Sequence, residues 1–457
     1  MYSRGLSTRA RPRSQCYMQR YSSSRRGLAT PLSTPLDGIR KINSSTKPLP
    51  NLPPELHELI VDNLEGEDGA LKQCALTCRL FRHSAQKFLF KSIVFDFSND
   101  CNPVEKFLDT ILGPSPQIAN YAERLTIQDH GFLVIDDSDT DQKPIEQDDS
   151  LPLVFPPLTK LVDLTLGQDA MGFNFSLLKP SSQSTIMAKC GSLRSLTLLQ
   201  ISDVPTRIFN HLQRLQTLNL DDVAFVIDPD EQATQSKPCR IKHMKLADLY
   251  LNNIIFTSIY PSFMARRFGV GSLESLSIDM NPRRWAAFPR ADSEAVKWLI
   301  RGNAESLKVL DVRISGYVPV ILDNDEPMFD VSKMPLLEEF ALGGVVCNCE
   351  TDQNWTPTID MGWLARHLET IPTGKRLKRI TLHPAILGAY LITEDSLDFE
   401  RLKYFENLIV EKVLSQTESF SIDFWIWEQS GETEPAEELL QKCFPTLQAL
   451  GLLHLNS

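Results

Sequence analysis

The chain has 457 residues, 42% of them apolar, which is enough for a large core and for two or three domains. Its formal charge is −11, yet the first 36 residues hold seven Arg, no Lys and no acid, which leaves −18 for the rest. An acidic body of that kind repels a phosphate backbone, so general nucleic-acid binding is not expected.

No run approaches the ~18 apolar residues that a bilayer span needs. Nine Cys is an odd number, and no apolar signal core precedes them, so reduced thiols in the cytoplasm or nucleus are expected. Residues 1–47 read as a basic, disordered arm, rich in Arg, Ser and Pro and poor in apolar anchors. The same composition fits a mitochondrial transit peptide, but Pro12 interrupts the amphipathic helix such a signal needs.

Residues 52–90 then predict three short helices. Pro53 and Pro54 open the first, where a missing N–H costs nothing. Leu56, Leu59, Ile60 and Leu64 follow at i, i+3, i+4 and i+8 as one apolar stripe. Glu65-Gly66-Glu67-Asp68-Gly69 breaks the helix; Leu71, Cys74, Ala75 and Cys78 mark a second, and Phe81, Ala85, Phe88 and Leu89 a third. Three helices of about ten residues make little core alone, so a partner surface or the rest of the chain must complete them.

This stretch resembles the F-box, in a variant common among fungal F-box proteins. The module docks a substrate receptor onto the Skp-type adaptor of cullin–RING ubiquitin ligases. The family's Leu-Pro start matches Leu52 and Pro53, its first-helix contacts match Leu56, Ile60 and Leu64, and its Leu-x-x-Val-Cys-Arg-x-Trp element matches Leu76, Cys78, Arg79 and Phe81. Phe81 stands where Trp is usual. The resemblance implies that Leu52, Pro53, Leu56, Ile60, Leu64, Leu76, Cys78 and Phe81 bind the adaptor and, through it, a cullin. Residues 48–92 would form the box.

From residue 93 onward the chain repeats itself. Leu-x-x-Leu-x-Leu occurs at 161–166, 193–198, 215–220, 246–251 and 447–452, more often than chance supplies. Looser copies are Leu273/Leu276/Ile278, Leu307/Leu310/Val312, Leu337/Phe340/Leu342 and Leu377/Ile380/Leu382, with Ala122/Leu125/Ile127 and Thr417/Phe420/Ile422 weaker still. The pattern resembles the leucine-rich repeat, which implies an α/β fold: an irregular solenoid over 93–457 with a curved parallel sheet. The repeat's usual Asn appears only as Asn281; Ile201, Val223, Ile254, Val345 and Ala385 occupy the other slots, so apolar packing must brace the strands. Leu397–Val413 predicts an amphipathic helix through Leu402, Phe405, Leu408, Ile409 and Val413.

Catalytic and cofactor signatures fail on spacing. "HELIV" at His57 begins like a zinc motif but has Val61 where the second His belongs. Cys347 and Cys349 have no second pair. Asp137, Asp139 and Asp141 imitate a calcium loop, with Gln142 where Gly is required and Asp148 where Glu is preferred. No metal, cofactor or enzymatic activity is expected.

Two functions remain: a ubiquitin-ligase substrate receptor, or a ligase-independent repeat scaffold whose helices only cap the solenoid. In either, period 2 sends intervening strand positions onto the open face. That gives Asp163, Asp221, Asp248, Tyr250, Asn252, Asp279, Asp311, Arg313, Glu339, Arg379 and His383, with Asp423, Trp425 and Trp427 at the far end. The expectation is an acidic face for a basic protein target, read chiefly by Asp221, Tyr250, Asp279, Asp311, Arg313, Trp425 and Trp427. The competing expectation packs the two Trp beneath a C-terminal cap.

Overall fold

The computed structural model describes residues 53–77, 79–97, 103–128, 145, 148–167, 174–226, 239–247, 271–280, 290–314, 327–348, 359, 361–387, 397–427 and 434–456. It opens with three helices, α1 (Pro54–Asp62), α2 (Asp68–Thr77) and α3 (Arg79–Leu89). Gly66, at φ 93°, carries the chain between the first two through the left-handed region that glycine enters without strain. Val61, Leu71 and Ala85 are their buried centre, ringed by half-buried Leu64, Cys74, Ala75, Phe81, Phe88 and Leu89.

The expected stripe on α1 is split. Val61 and Leu64 pack inward, with His57 edge-on to Phe81 (centroids 5.0 Å apart), whereas Leu56, Leu59 and Ile60 point outward. Apolar spacing told which residues share a face, but Val61 decided which face is inside. Beyond α3, Lys91 Nζ donates to Glu65 Oε1 at 2.8 Å, and Tyr121 Oη meets His83 Nδ1 at 2.8 Å, tying the helices to the first strands.

The strands are β1 (Ser92–Asp96), β2 (Arg124–Gln128), β3 (Asp163–Gly167), β4 (Ser195–Leu199), β5 (Val204–Pro205), β6 (Thr217–Asp221) and β7 (Phe225–Val226). They continue with β8 (His243–Ala247), β9 (Ser275–Met280), β10 (Val309–Ile314), β11 (Glu339–Asn348), β12 (Leu377–Leu387), β13 (Thr417–Trp427) and β14 (Leu453–Asn456). Apart from the small β5–β7 pair, they form one 12-stranded parallel sheet in chain order.

Its regularity comes from the residue before each strand. Lys242 O accepts the amides of Glu274 and Ser275, Glu274 O those of Lys308 and Val309, and Lys308 O those of Glu338 and Glu339. Fixed in this way, Leu164, Leu196, Leu218, Met244, Leu276 and Leu310 fall into one lateral row, and Leu166, Leu198, Leu220, Leu246, Ile278 and Val312 into the next. The side chains at the fork alternate in charge: Glu274 sits 2.8 Å from both Lys242 and Lys308, and Lys378 2.6 Å from Glu338. Hydrogen bonds from the two lysines hold the Glu274 carboxyl down at about 2.

Two expected repeats are out of register. The strand near 246–251 is β8, whose inward residues are Met244 and Leu246, so its unit starts at Ile241 rather than Leu246. The first half of the 447–452 match falls on a helix; β14 pairs Leu453 with Ile422 and Leu455 with Phe424, which puts its unit at Leu450. A further unit, Phe90/Ile93/Phe95, escaped the leucine template, because two of its apolar positions are aromatic.

Helices α4 (Pro103–Leu112), α5 (Leu151–Val154), α6 (Pro180–Cys190), α7 (Arg290–Asn303), α8 (Gly362–Glu369), α9 (Phe399–Leu408), α10 (Glu434–Cys443) and α11 (Pro445–Ala449) lie between strands. Their apolar residues share one core with the inward strand rows. α9 continues as a π-turn over Ile409–Val413, and Leu402, Phe405, Ile409 and Val413 are buried as their spacing predicts.

Where an Asn ladder would stand, Ile201 and Val223 are each 1% exposed. The preceding Gln200 and Asp222 both adopt φ 49°, a left-handed turn that drives the next side chain into the core. Buried Asn303 at the end of α7 supplies one polar brace. Its Oδ1 accepts from the amides of Gly271 (2.9 Å) and Leu273 (3.3 Å), and its Nδ2 donates to Leu299 O (2.9 Å). No helix among the described residues is long and apolar enough to cross a membrane.

Candidate interaction surfaces

Two surfaces stand out. On the helical unit, Leu56 (42% exposed), Leu59 (56%), Ile60 (43%), Leu76 (75%) and Leu80 (57%) all face solvent. They are five of the fifteen exposed large apolar side chains among the described residues, gathered on three short helices. Scattered single exposures need no explanation, but this density does. Pro53 is exposed as well. Leu64 and Phe81 belong to the helical core and would contribute by holding α1 and α3 in place. Leu52 and Cys78 lie outside the described residues.

The second surface is the sheet face opposite the core. One lateral row there runs Asp221, Ala247, Asp279, Arg313, Gly343 and His383. A neighbouring row runs Asn219, Lys245, Ser277, Asp311, Ala341 and Thr381. Asp311 and Arg313 are paired on β10, Nε to Oδ1 at 3.0 Å and Nη2 to Oδ2 at 3.1 Å. Arg379 Nη1 lies 3.6 Å from Glu339 Oε2, and Asp163 faces the same side from β3.

The corrected register of β8 changes the charge of this face. His243, Lys245 and Ala247 occupy the positions expected for Asp248, Tyr250 and Asn252, and the latter three lie outside the described residues. Arg124 on β2 also shares the face, in register with Asp163. The acidic excess expected from sequence is therefore reduced by Lys245 and Arg124, and much of the positive charge further along is paired. Burial pushes the Asp279 carboxyl up; Arg313 and Lys245 oppose this, while Asp311 and Asp221 add to it.

At the far end, β13 buries Phe420, Ile422, Phe424 and Ile426 and turns Trp425 outward, 59% exposed. Trp425 is thus not packed beneath a cap; of Trp427 only the backbone is described, paired with Leu387. His383 Nδ1 lies 3.6 Å from Asp423 Oδ2, beyond hydrogen-bond reach. Burial, then Arg313, lowers the His383 pKa; Asp423 and Asp311 oppose this.

Of the residues that imitated chemical motifs, Asp137, Asp139, Asp141, Gln142 and Cys349 lie outside the described residues. Asp148 accepts from Ser150 N (2.6 Å) and Leu151 N (3.0 Å) and thereby caps α5. Desolvation raises buried Cys190 to about 12, and Cys239 and Cys443 to about 11, so these thiols are poor nucleophiles. Among the described residues no group of three or more His, Cys, Asp or Glu is placed to hold a metal ion. Neither a family model nor a curated protein matches this chain.

Proposed function

We propose that this chain is the substrate-recognition subunit of a Skp–cullin–F-box type ubiquitin ligase. The helical unit docks the Skp-type adaptor, and the open face of an irregular leucine-rich-repeat solenoid holds a protein target. The observation that carries the reading is the outward cluster Leu56, Leu59, Ile60, Leu76 and Leu80 on a unit with three buried apolar residues among those described. Full burial of such a side chain from water is worth roughly 1.5–3 kcal/mol, and a partner gains the share that the unit leaves exposed. Transfer chemistry then belongs to the partners, and this chain, not itself an enzyme, contributes proximity and orientation.

A second reading has an observation of its own. The Lys91–Glu65 and Tyr121–His83 contacts anchor the helices to the first strands, as a ligase-independent scaffold's cap would need. Co-purification separates the two. Tagged full-length chain should retain the adaptor and a cullin, while Leu56→Ala/Ile60→Ala loses both and keeps its thermal stability; a cap alone retains neither from the start.

A further inference from the structure

We infer that the sheet face at β12–β14 reads a basic segment of the protein target, with an Arg or Lys side chain stacked on Trp425 and its charge against Asp423. The inference rests on the target-binding role proposed for this face.

Trp425 is the outward aromatic of β13, and its lateral neighbours are Ala385 on β12 and Asn456 on β14. Neither is large enough to cover an indole, and the ring is 59% exposed. A solvated Trp ring is the strongest of the aromatic platforms for a cation. Asp423, two residues earlier, points to the same side. Its nearest basic group is His383 Nδ1 at 3.6 Å, too far for a hydrogen bond and without another partner. Burial and Arg313 lower the pKa of that imidazole, although Asp423 and Asp311 pull the other way. The Asp423 carboxylate is thus left without a hydrogen bond from this imidazole.

The two arginines described on the neighbouring strands are engaged. Arg313 is held by Asp311, and Arg379 faces Glu339. An acidic ligand would have to break these pairs, whereas a basic one needs no rearrangement. Gly343 keeps the approach low: a Cβ there would come within 2.7 Å of His383 O and 2.9 Å of His383 Cβ. Asp279, four strands away, offers a second contact. Four strand spacings are roughly 19 Å, which an extended peptide spans in about six residues.

The test uses purified full-length protein and a fluorescein-labelled Gly/Ser peptide bearing two Arg about six residues apart, with a two-Glu peptide as control. Anisotropy should show binding of the Arg peptide only. Trp425→Ala and Asp423→Asn should each weaken it about three- to fivefold, and Trp425→Phe less. The proposal is overturned if the Arg peptide does not bind, if the Glu peptide binds as well, or if Trp425→Ala binds like wild type. It is also overturned if sedimentation shows self-association abolished by Trp425→Ala, which would make a second copy the occupant. Because no adaptor is present, failure here leaves adaptor docking standing, and loss of adaptor docking leaves this result unchanged.

Discussion

Arg313 grips Asp311 two residues before it on β10, and with only Gly343 between them its guanidinium also acts on His383 two strands away. The arrangement lets one guanidinium act on two titratable groups of the open face. Arg313 lowers the pKa of His383 and opposes the upward shift of Asp279. Replacing Arg313 with Met should therefore raise both pKa values, moving His383 back toward the ordinary histidine range near 6.5. An NMR titration of the His383 ring against pH reads this directly; an unchanged midpoint would show that the guanidinium does not reach the imidazole.

A second prediction concerns stability in acid. His367 on α8 is fully buried; its Nε2 accepts from Met328 N at 3.0 Å, and its Nδ1 faces Trp363 O at 2.8 Å. Desolvation lowers its pKa from 6.5 to about 4. In that window the unfolded chain takes up a proton that the native state refuses. Stability is therefore full above pH 6.5 and is lost as pH falls toward 4, by up to about 1.4 kcal/mol per pH unit from this group. Urea denaturation at pH 7 and 4.5 should show a smaller pH difference in His367→Gln than in wild type. Equal differences would mean that His367 is protonated in the native state.

Glu406 is the third. Buried on α9, its Oε1 accepts from Thr446 N (2.7 Å) and Leu447 N (3.0 Å), satisfying the open first turn of α11. Glu406→Ala leaves two amides without this acceptor and should cost about 1.5–3 kcal/mol, while Glu406→Gln keeps an acceptor and should cost less. Denaturant titration gives the magnitude, and hydrogen exchange at Thr446 and Leu447 gives the location. An alanine variant within about 0.5 kcal/mol of wild type would remove Glu406 from the account.

Much of the sheet is legible in the leucine spacing. Leu164 and Leu166, Leu196 and Leu198, and Leu218 and Leu220 face inward as their hexads predict, and the looser units of β9 to β13 follow them. The failures share a cause: a leucine template ignores the other apolar residues that fill the same volume. Met244 in place of Leu hid the register of β8, and Phe90 and Phe95 hid β1 altogether. The β8 slip then put Asp248 in the place of His243 and Tyr250 in the place of Lys245 in the reading of the open face, which made it look more acidic than it is. On α1 the apolar positions were plain, but only packing could assign Leu64 to the core and leave Leu56 and Ile60 in solvent. The pairing of Arg313 with Asp311 is an i, i+2 relation on a strand, readable once the strand is known. The polar brace by Asn303 joins residues about thirty positions apart and left no local signal.

The central claim is that the outward face of the first helix belongs to an adaptor, and calorimetry tests it most directly. A purified Skp-type adaptor titrated into the full-length wild-type chain should saturate at one adaptor per chain. Leu56→Ala/Ile60→Ala should melt at the wild-type temperature, because both side chains are exposed, and should bind at least about thirtyfold more weakly. A wild-type chain that gives no binding, or a folded double variant that binds as tightly as wild type, would contradict the assignment.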